Sequence, residues 1–253
     1  MQPLERVSSR SRFALIIPLY NHEEKVADVV LGALKLGWPV FVVDDGSTDS
    51  SYERIKAIDG IAILRHRENE GKGAAIRTGF AASAQVADWA VTIDADGQHH
   101  PEDVTHLIRA IPENGRPIIV GRREGMFGPS IPWTSRFGRQ FSNFWVWLSG
   151  GPRMTDSQSG MRLYPLPESM NLSVRARRFQ YEVEILVKAR WQGMTVIEAP
   201  VRVSYQPGSG RVSHFRPFVD FMRNSETFAR LIFMRIMMPP FIRKKHQTGR
   251  SIP

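Results

Sequence analysis

Short apolar runs alternate with longer stretches of helical period along the first half of the chain. The runs fall at 13–17, 40–43, 61–64, 89–93 and 118–121. Runs this short and this continuously apolar read as strands buried on both faces. Between them, residues 23–36 put Val26, Val29, Val30, Ala33 and Leu34 on one helical face and stop at Gly37. Ser47 or Thr48 can cap a second helix running through Ile58. A small-residue helix is expected over 71–84, and Pro101 opens another at the position where proline is tolerated. This β-α-β-α order predicts a three-layer α/β fold with a mostly parallel sheet. Ligands of such sheets sit at the carboxyl ends of the strands.

Beyond Arg122 the alternation breaks down. An aromatic-rich helix over 133–148, a short strand at 160–164, a helix over 179–192 and a strand segment over 195–205 interrupted by Pro200 are expected. Residues 206–210, Gln-Pro-Gly-Ser-Gly, have turn chemistry and no apolar anchor. Residues 217–238 predict an amphipathic helix. Its apolar stripe is Phe218, Phe221, Met222, Ser225, Phe228, Ala229, Ile232 and Ile236, with Asp220, Arg223 and Arg230 opposite.

Charge adds to this picture through its placement. Of the formal +9, residues 211–253 carry +7, with nine Lys/Arg against two acids, so the body is nearly neutral. A neutral body with a basic end is not the spread of a general nucleic-acid binder, and no nucleic-acid module is visible. The chain has no cysteine, which excludes disulfides, thiolate zinc sites and a cysteine nucleophile. No secretory signal pattern is present and no stretch reaches the ~20 apolar residues of a membrane span.

Two acidic clusters follow strand ends: Val43-Asp44-Asp45-Gly-Ser-Thr-Asp49, and Ile93-Asp94-Ala95-Asp96-Gly-Gln98-His99-His100. Carboxylates there lie in the crevice where a parallel sheet binds ligands. Asp94 and Asp96, two apart on an extended stretch, would point the same way and serve one hard cation, with Gln98 as a third oxygen ligand. A divalent ion there would leave positions for a pyrophosphate and offset the charge of a departing nucleotide diphosphate. Each cluster taken alone is also consistent with a solvated Asp-Gly turn.

Five motifs in order, Pro18-Leu-Tyr20-Asn21, residues 42–49, Asn69-Glu-Gly71-Lys72-Gly73, Asp94-Ala95-Asp96-Gly-Gln98-His99 and Asp156-Ser-Gln-Ser-Gly160, closely resemble family-2 glycosyltransferases of the GT-A fold. The subgroup most similar is the one that glycosylates polyprenyl or dolichyl phosphate, and the likeness covers roughly residues 13–215. It implies that Pro18, Tyr20, Asn21, Asp44 and Asp45 hold the nucleotide, with Gly71 and Lys72 abutting its pocket. It implies that Asp94, Ala95 and Asp96 face the sugar diphosphate, and that Asp96 with Gln98 ligates Mg²⁺ or Mn²⁺. Arg123, or Arg122 one register away, would meet phosphate oxygens. The segment with Arg211, Ser213 and His214 would close over donor and acceptor. His22 and His214 stand where lipid-phosphate enzymes often carry Glu and Lys.

Enzymes of this kind invert the anomeric centre of a UDP- or GDP-linked sugar by direct displacement. A hydroxyl acceptor would need a general base, for which Asp156 is the candidate, a turn cap being its structural alternative. A lipid phosphate would need no base but would need cations, such as Arg122, Arg123, Arg136, Arg139, Arg211 and His214. Arg136 and Arg139 equally suit a solvated helix face. His99 and His100 suit either a metal or a loop hydrogen bond at a helix start.

The expected organisation is a flexible N-terminus (1–12), a GT-A catalytic domain (13–215), an amphipathic basic helix (216–242) and a basic flexible tail (243–253). The helix would lie on a membrane surface, dock on a small membrane-protein subunit, or pack on its own domain. The expected function is an inverting, metal-dependent glycosyltransferase acting on a membrane lipid acceptor, peripheral on the cytoplasmic membrane face. Glycosylation of a glycolipid or saccharide hydroxyl, and a non-catalytic scaffolding role, are the alternatives.

Overall fold

The computed structural model describes residues 11–125, 133–204 and 217–237, with side chains from residue 138 in the second stretch and residue 225 in the third. Seven strands form one sheet in the order β3-β2-β1-β4-β6-β5-β7. They are β1 (Phe13–Leu19), β2 (Val40–Asp44), β3 (Ile61–Arg65), β4 (Trp89–Thr92), β5 (Ile118–Arg123), β6 (Arg162–Pro165) and β7 (Val196–Val201). All neighbours run parallel except β6, which is antiparallel to both β4 and β5. The mostly parallel α/β expectation holds.

The helices are α1 (Val26–Leu34), α2 (Ser51–Lys56), α3 (Lys72–Ser83), α4 (Val104–Arg109), α5 (Trp133–Leu148), α6 (Tyr181–Trp191) and α7 (Pro217–Met237). Strand alternation divides the core into two layers. Leu15 and Ile17 join α1 and α4 on one face, while Ile16 joins α3 and α6 on the other. The chain leaves β1 for β2 and β3 on one side and returns to β4 on the other. That reversal opens a crevice at the carboxyl ends of β1 and β4, where an α/β sheet takes its ligand.

Four local expectations are corrected. Neither Ser47 nor Thr48 caps α2; the Asp49 carboxylate accepts the Ser51 amide at 2.9 Å instead. Pro200 does not interrupt β7, because β7 pairs only with β5 and an edge strand tolerates a missing N–H. Residues 95 and 96 form a turn, with Gly97 at φ +72°, so Asp94 and Asp96 are not placed by strand alternation. The fourth concerns α7, which buries Thr227, Phe228 and Leu231, whereas Ala229 and Ile236 of the expected stripe are exposed. Phe228 and Leu231 pack on Val146, Val183 and Val187. Arg230, expected on the solvent face, pairs at 2.8 Å with the fully buried Glu184. The helix is therefore docked on the domain by one face, while Phe233, Ile236 and Met237 remain exposed.

Candidate active site

The crevice begins with two loops that fold onto each other. Asn21 sits just past β1 at φ +53°, a region asparagine enters at low cost. Its Oδ1 accepts the Thr48 amide at 2.8 Å, and its own N–H donates to Ser47 Oγ at 3.1 Å. Asp44 is fully buried, accepts the Ser47 amide at 2.9 Å and lies 2.9 Å from Arg65 Nε. Asp45 takes His66 Nδ1 at 2.7 Å and the amides of Glu70 and Gly71 at 3.0 and 2.7 Å. The pair shapes the 46–49 and 69–71 loops from beneath rather than presenting open carboxylates. Pro18 is buried within β1, and Tyr20 is half-buried at its end.

The 69–73 loop delivers Lys72 to the floor of the crevice. Gly71, at φ +105°, and Gly73 are pressed against Arg177 and Tyr181, so their lack of a side chain serves close approach to the α6 entry rather than to the sheet. Lys72 Nζ then lies 2.6 Å from Asp94 Oδ1 and 2.7 Å from Glu182 Oε1. Burial opposes the ammonium charge, yet the two carboxylates hold the Lys72 pKa above that of an ordinary lysine. Burial likewise opposes ionisation of Asp94, and Lys72, with His99 behind it, keeps it below the usual carboxylate range. A Cβ at Gly160 would fall on the Asp94 carboxylate, so glycine there makes room for it. Asp96 accepts the Gln98 amide at 3.0 Å from the turn that follows. Among the described residues no three His, Cys, Asp or Glu side chains converge as a metal cage.

The other wall is built on β5. Arg123 donates to both Asp156 oxygens, at 2.7 and 2.8 Å, and its amide adds a third bond at 3.2 Å. Glu198 of β7 accepts the Asp156 amide at 2.9 Å and both donors of Thr155, fixing that loop. Asp156 is 1% exposed; burial opposes its charge, but Arg123 holds its pKa below the usual value. With both oxygens taken by Arg123, Asp156 makes a positioning contact in this arrangement. Arg139 is not on a solvated face: it is 4% exposed and, with Arg122, Arg123 and Thr155, lines a cavity of about 290 Å³.

His99, one residue past Gln98, is 5% exposed and bridges by its backbone to Val203. Burial, then Arg123 and Lys72, push its pKa down to about 4 against the pull of Asp94, so the ring is neutral. His100 makes the expected loop hydrogen bond, 2.8 Å from Ser204 Oγ. Arg211, Ser213, His214 and the side chain of Arg136 lie outside the described residues, as do 1–10 and the 243–253 tail.

Sequence reasoning missed Glu182, Glu198 and Arg162. The Arg162 guanidinium is fully buried and binds the carbonyls of Ser157, Ser159 and Glu182. A charge inside the apolar 160–164 run was its one visible signal. Glu182 lies in a helix buried on most sides, beside the equally buried Glu184, and carried none.

The reversing parallel sheet thus carries at its crevice a buried Lys72–Asp94–Glu182 cluster on one wall and a cluster of arginines with Asp156 on the other. Comparison with known proteins then gives the family. Residues 14–166 match the family model described as Glycosyl transferase family 2. The UDP-N-acetylglucosamine–dolichyl-phosphate N-acetylglucosaminyltransferase of Methanococcus voltae is 32% identical over 215 residues, spanning 76% of this chain and 85% of its own. Glucosyl-3-phosphoglycerate synthase of Mycobacterium tuberculosis, solved with Mn²⁺, UDP and phosphoglyceric acid, superposes with a TM-score of 0.69 at 19% identity, over 93% of this chain and 82% of that one. A second structure of that synthase, with Mg²⁺ and UDP, gives 0.66 at 19% identity, over 93% and 83%. The chain belongs to glycosyltransferase family 2 and has the GT-A fold.

Proposed function

We propose that this glycosyltransferase moves a sugar from a UDP- or GDP-linked donor to a polyprenyl-type lipid phosphate, with inversion at the anomeric carbon. The observation that carries the reading is the Arg123–Asp156 pair. The cavity on that wall is lined by three guanidinium groups, Arg122, Arg123 and Arg139, with the exposed Glu124 at its edge, and Arg123 occupies both oxygens of Asp156. An acceptor that is already an anion needs cations to approach a diphosphate and no base to remove a proton. The likeness to an enzyme named for dolichyl phosphate supports the same acceptor class.

In this scheme an acceptor phosphate oxygen attacks the anomeric carbon. The bond to the donor diphosphate breaks, and its electron pair leaves with the nucleoside diphosphate. Arg122, Arg123 and Arg139 orient the acceptor phosphate, while Lys72 holds the Asp94 carboxylate in place beneath the donor. Asp96, with Gln98, would hold Mg²⁺ or Mn²⁺, which would supply charge neutralisation for the leaving diphosphate.

The exposed Phe144 and Trp147 of α5 and Phe233, Ile236 and Met237 of α7, with the basic 243–245 run beyond, support a peripheral place on the cytoplasmic membrane face. No helix among the described residues is long and apolar enough to cross a membrane. Domain limits of 13–215 for catalysis and 216–242 for the surface helix go with this reading. Nucleotide release from UDP- and GDP-sugars, with Mn²⁺ or Mg²⁺ and with or without short-chain polyprenyl phosphate, tests it. Lipid-stimulated release is expected; release stimulated only by saccharides would turn the assignment to hydroxyl acceptors.

A further inference from the structure

A second cavity, of about 440 Å³, lies between α3 and the segment that leads into α6. Its volume falls in the range of small-molecule sites. It takes in none of the arginines of the acceptor wall and none of the carboxylates at the ends of β2 and β4. One wall is a single face of α3, with Ala74, Arg77, Thr78 and Ala81 at three- and four-residue spacing. Ser169, Val174 and Arg177 stand on the other, and the buried Phe80 and Tyr181 add ring surface.

Two polar groups of this lining are left over. Ser169 is 2% exposed, yet its Oγ has no hydrogen-bond partner. Buried hydroxyls are rarely left so, because their desolvation is then uncompensated. Arg77 forms no ion pair among the described residues, whereas Arg177 pairs with Glu70 at 3.4 Å. The lining therefore carries one cation more than it carries anions. A guanidinium meets a phosphate or carboxylate through two parallel bonds, and a serine hydroxyl can donate one more. The rings and aliphatic side chains suit an apolar body behind that head.

Both walls are tied to the loop that delivers Lys72. Thr78 Oγ1 lies 2.9 Å from His66 Nε2, His66 Nδ1 lies 2.7 Å from Asp45, and Asp45 accepts the Gly71 amide at 2.7 Å. From the other wall the Arg177 carbonyl accepts the Ala74 amide at 2.9 Å, and a Cβ at Gly71 or Gly73 would collide with that carbonyl. We propose that this cavity is an effector site for a small organic anion, a phosphate or carboxylate on a compact apolar body, whose binding tightens the hold on nucleotide in the crevice. The inference rests on the donor reading of the crevice and goes beyond it by assigning a second ligand.

The test is calorimetric titration with phenyl phosphate, phenylacetate and inorganic phosphate, each with and without UDP or GDP and Mn²⁺. Native protein, Arg77→Gln and Ala81→Trp are compared; both positions are exposed, and thermal melts check the fold. One aryl anion should bind at one per chain, and the tighter of the two identifies the head group. Inorganic phosphate, without a body to bury, should bind about tenfold more weakly or worse. Both variants should lose aryl-anion affinity by roughly tenfold or more. Their nucleotide affinity without the probe should stay within about twofold of native, since neither residue reaches the crevice. The probe should raise native nucleotide affinity by about fivefold or more, and nucleotide should tighten the probe by the same factor. Failure of both aryl anions to bind, undiminished binding in both variants, displacement of the probe by nucleotide, or mutually indifferent binding overturns the inference. Native protein that binds the probe but neither nucleotide removes the donor reading, and the effector role with it.

Discussion

Lys72 and Glu182 lie 110 positions apart in the sequence and 2.7 Å apart in the fold. Their contact joins the first residue of α3 to the second of α6, and Asp94 completes it from the end of β4. Three separate segments thus converge on one ammonium group. Replacing it with a neutral side chain leaves two largely buried carboxylates facing each other. Lys72→Met should therefore destabilise the domain by up to about 3 kcal/mol, near the lower end of the cost of breaking a buried pair. Urea unfolding at neutral pH measures this. An unchanged midpoint would mean that the triad does not hold the site together.

Gly160 makes room for Asp94, so Gly160→Ala should act on the site through sterics alone. A loss of about 1–3 kcal/mol is expected for overpacking, together with displacement of the carboxylate and weakened donor binding. Calorimetric titration with the donor nucleotide gives the second quantity. A variant as stable and as tight-binding as native would show that the Asp94 carboxylate can sit elsewhere.

The two roles considered for Asp156 separate in kinetics. As partner of Arg123, its change to Asn should raise the KM for the acceptor about tenfold and leave most of kcat, because the amide keeps one acceptor oxygen while its NH₂ and the lost charge end the bidentate pair. As a general base, its loss would lower kcat by roughly 10²–10⁴. Steady-state kinetics over a range of acceptor concentrations distinguishes them.

Much of the fold was legible because buried strands and amphipathic helices write their period into the chain. The first five strands and the helix over 133–148 fall where the apolar pattern puts them. What the pattern missed was set by partners distant in sequence. Glu198 looks like any strand residue until it meets Thr155, and for Arg139 the pattern left a solvated face and a phosphate-facing cation equally open until its helix folds over the cavity. The α7 stripe was misread because a helix with apolar residues on two sides does not reveal which side the domain will cover. Asp44 and Asp45 were legible as site residues, but their inward hydrogen bonds depend on loops that spacing does not place.

Acid sensitivity should follow the carboxylates. Asp103, Asp156 and Asp94 all have folded pKa values below the ordinary carboxylate range: burial opposes their ionisation, but Arg202, Arg123 and Lys72 respectively outweigh it. Each group's contribution to stability is complete above the unfolded value of about 3.9 and is lost as pH falls through the lower folded value. Stability should therefore begin to fall below about pH 6.5, where His99 takes up a proton unfolded but not folded, its folded pKa being about 4, and decline more steeply below about pH 5 as the carboxylates protonate. Asp103→Asn, which ends the pairing with Arg202, should flatten that decline. Chemical unfolding at a series of pH values is the measurement; an acid limb of the same steepness in the variant would contradict it.

The two faces of α7 predict opposite phenotypes. Phe228→Ala removes a buried ring from the contact with Trp145 and should cost about 3–5 kcal/mol. Phe233→Ser with Ile236→Ser alters exposed positions and should leave stability unchanged while weakening sedimentation with anionic liposomes. Unaltered liposome binding in the double variant would remove the membrane role of this face.

The account stands most directly on the chemical nature of the acceptor. Native protein incubated with its nucleotide sugar, a divalent cation and short-chain polyprenyl phosphate can be followed by ³¹P NMR. The account predicts that the lipid phosphomonoester resonance converts to a phosphodiester as nucleoside diphosphate accumulates. Nucleoside diphosphate appearing while the lipid remains a monoester would contradict it.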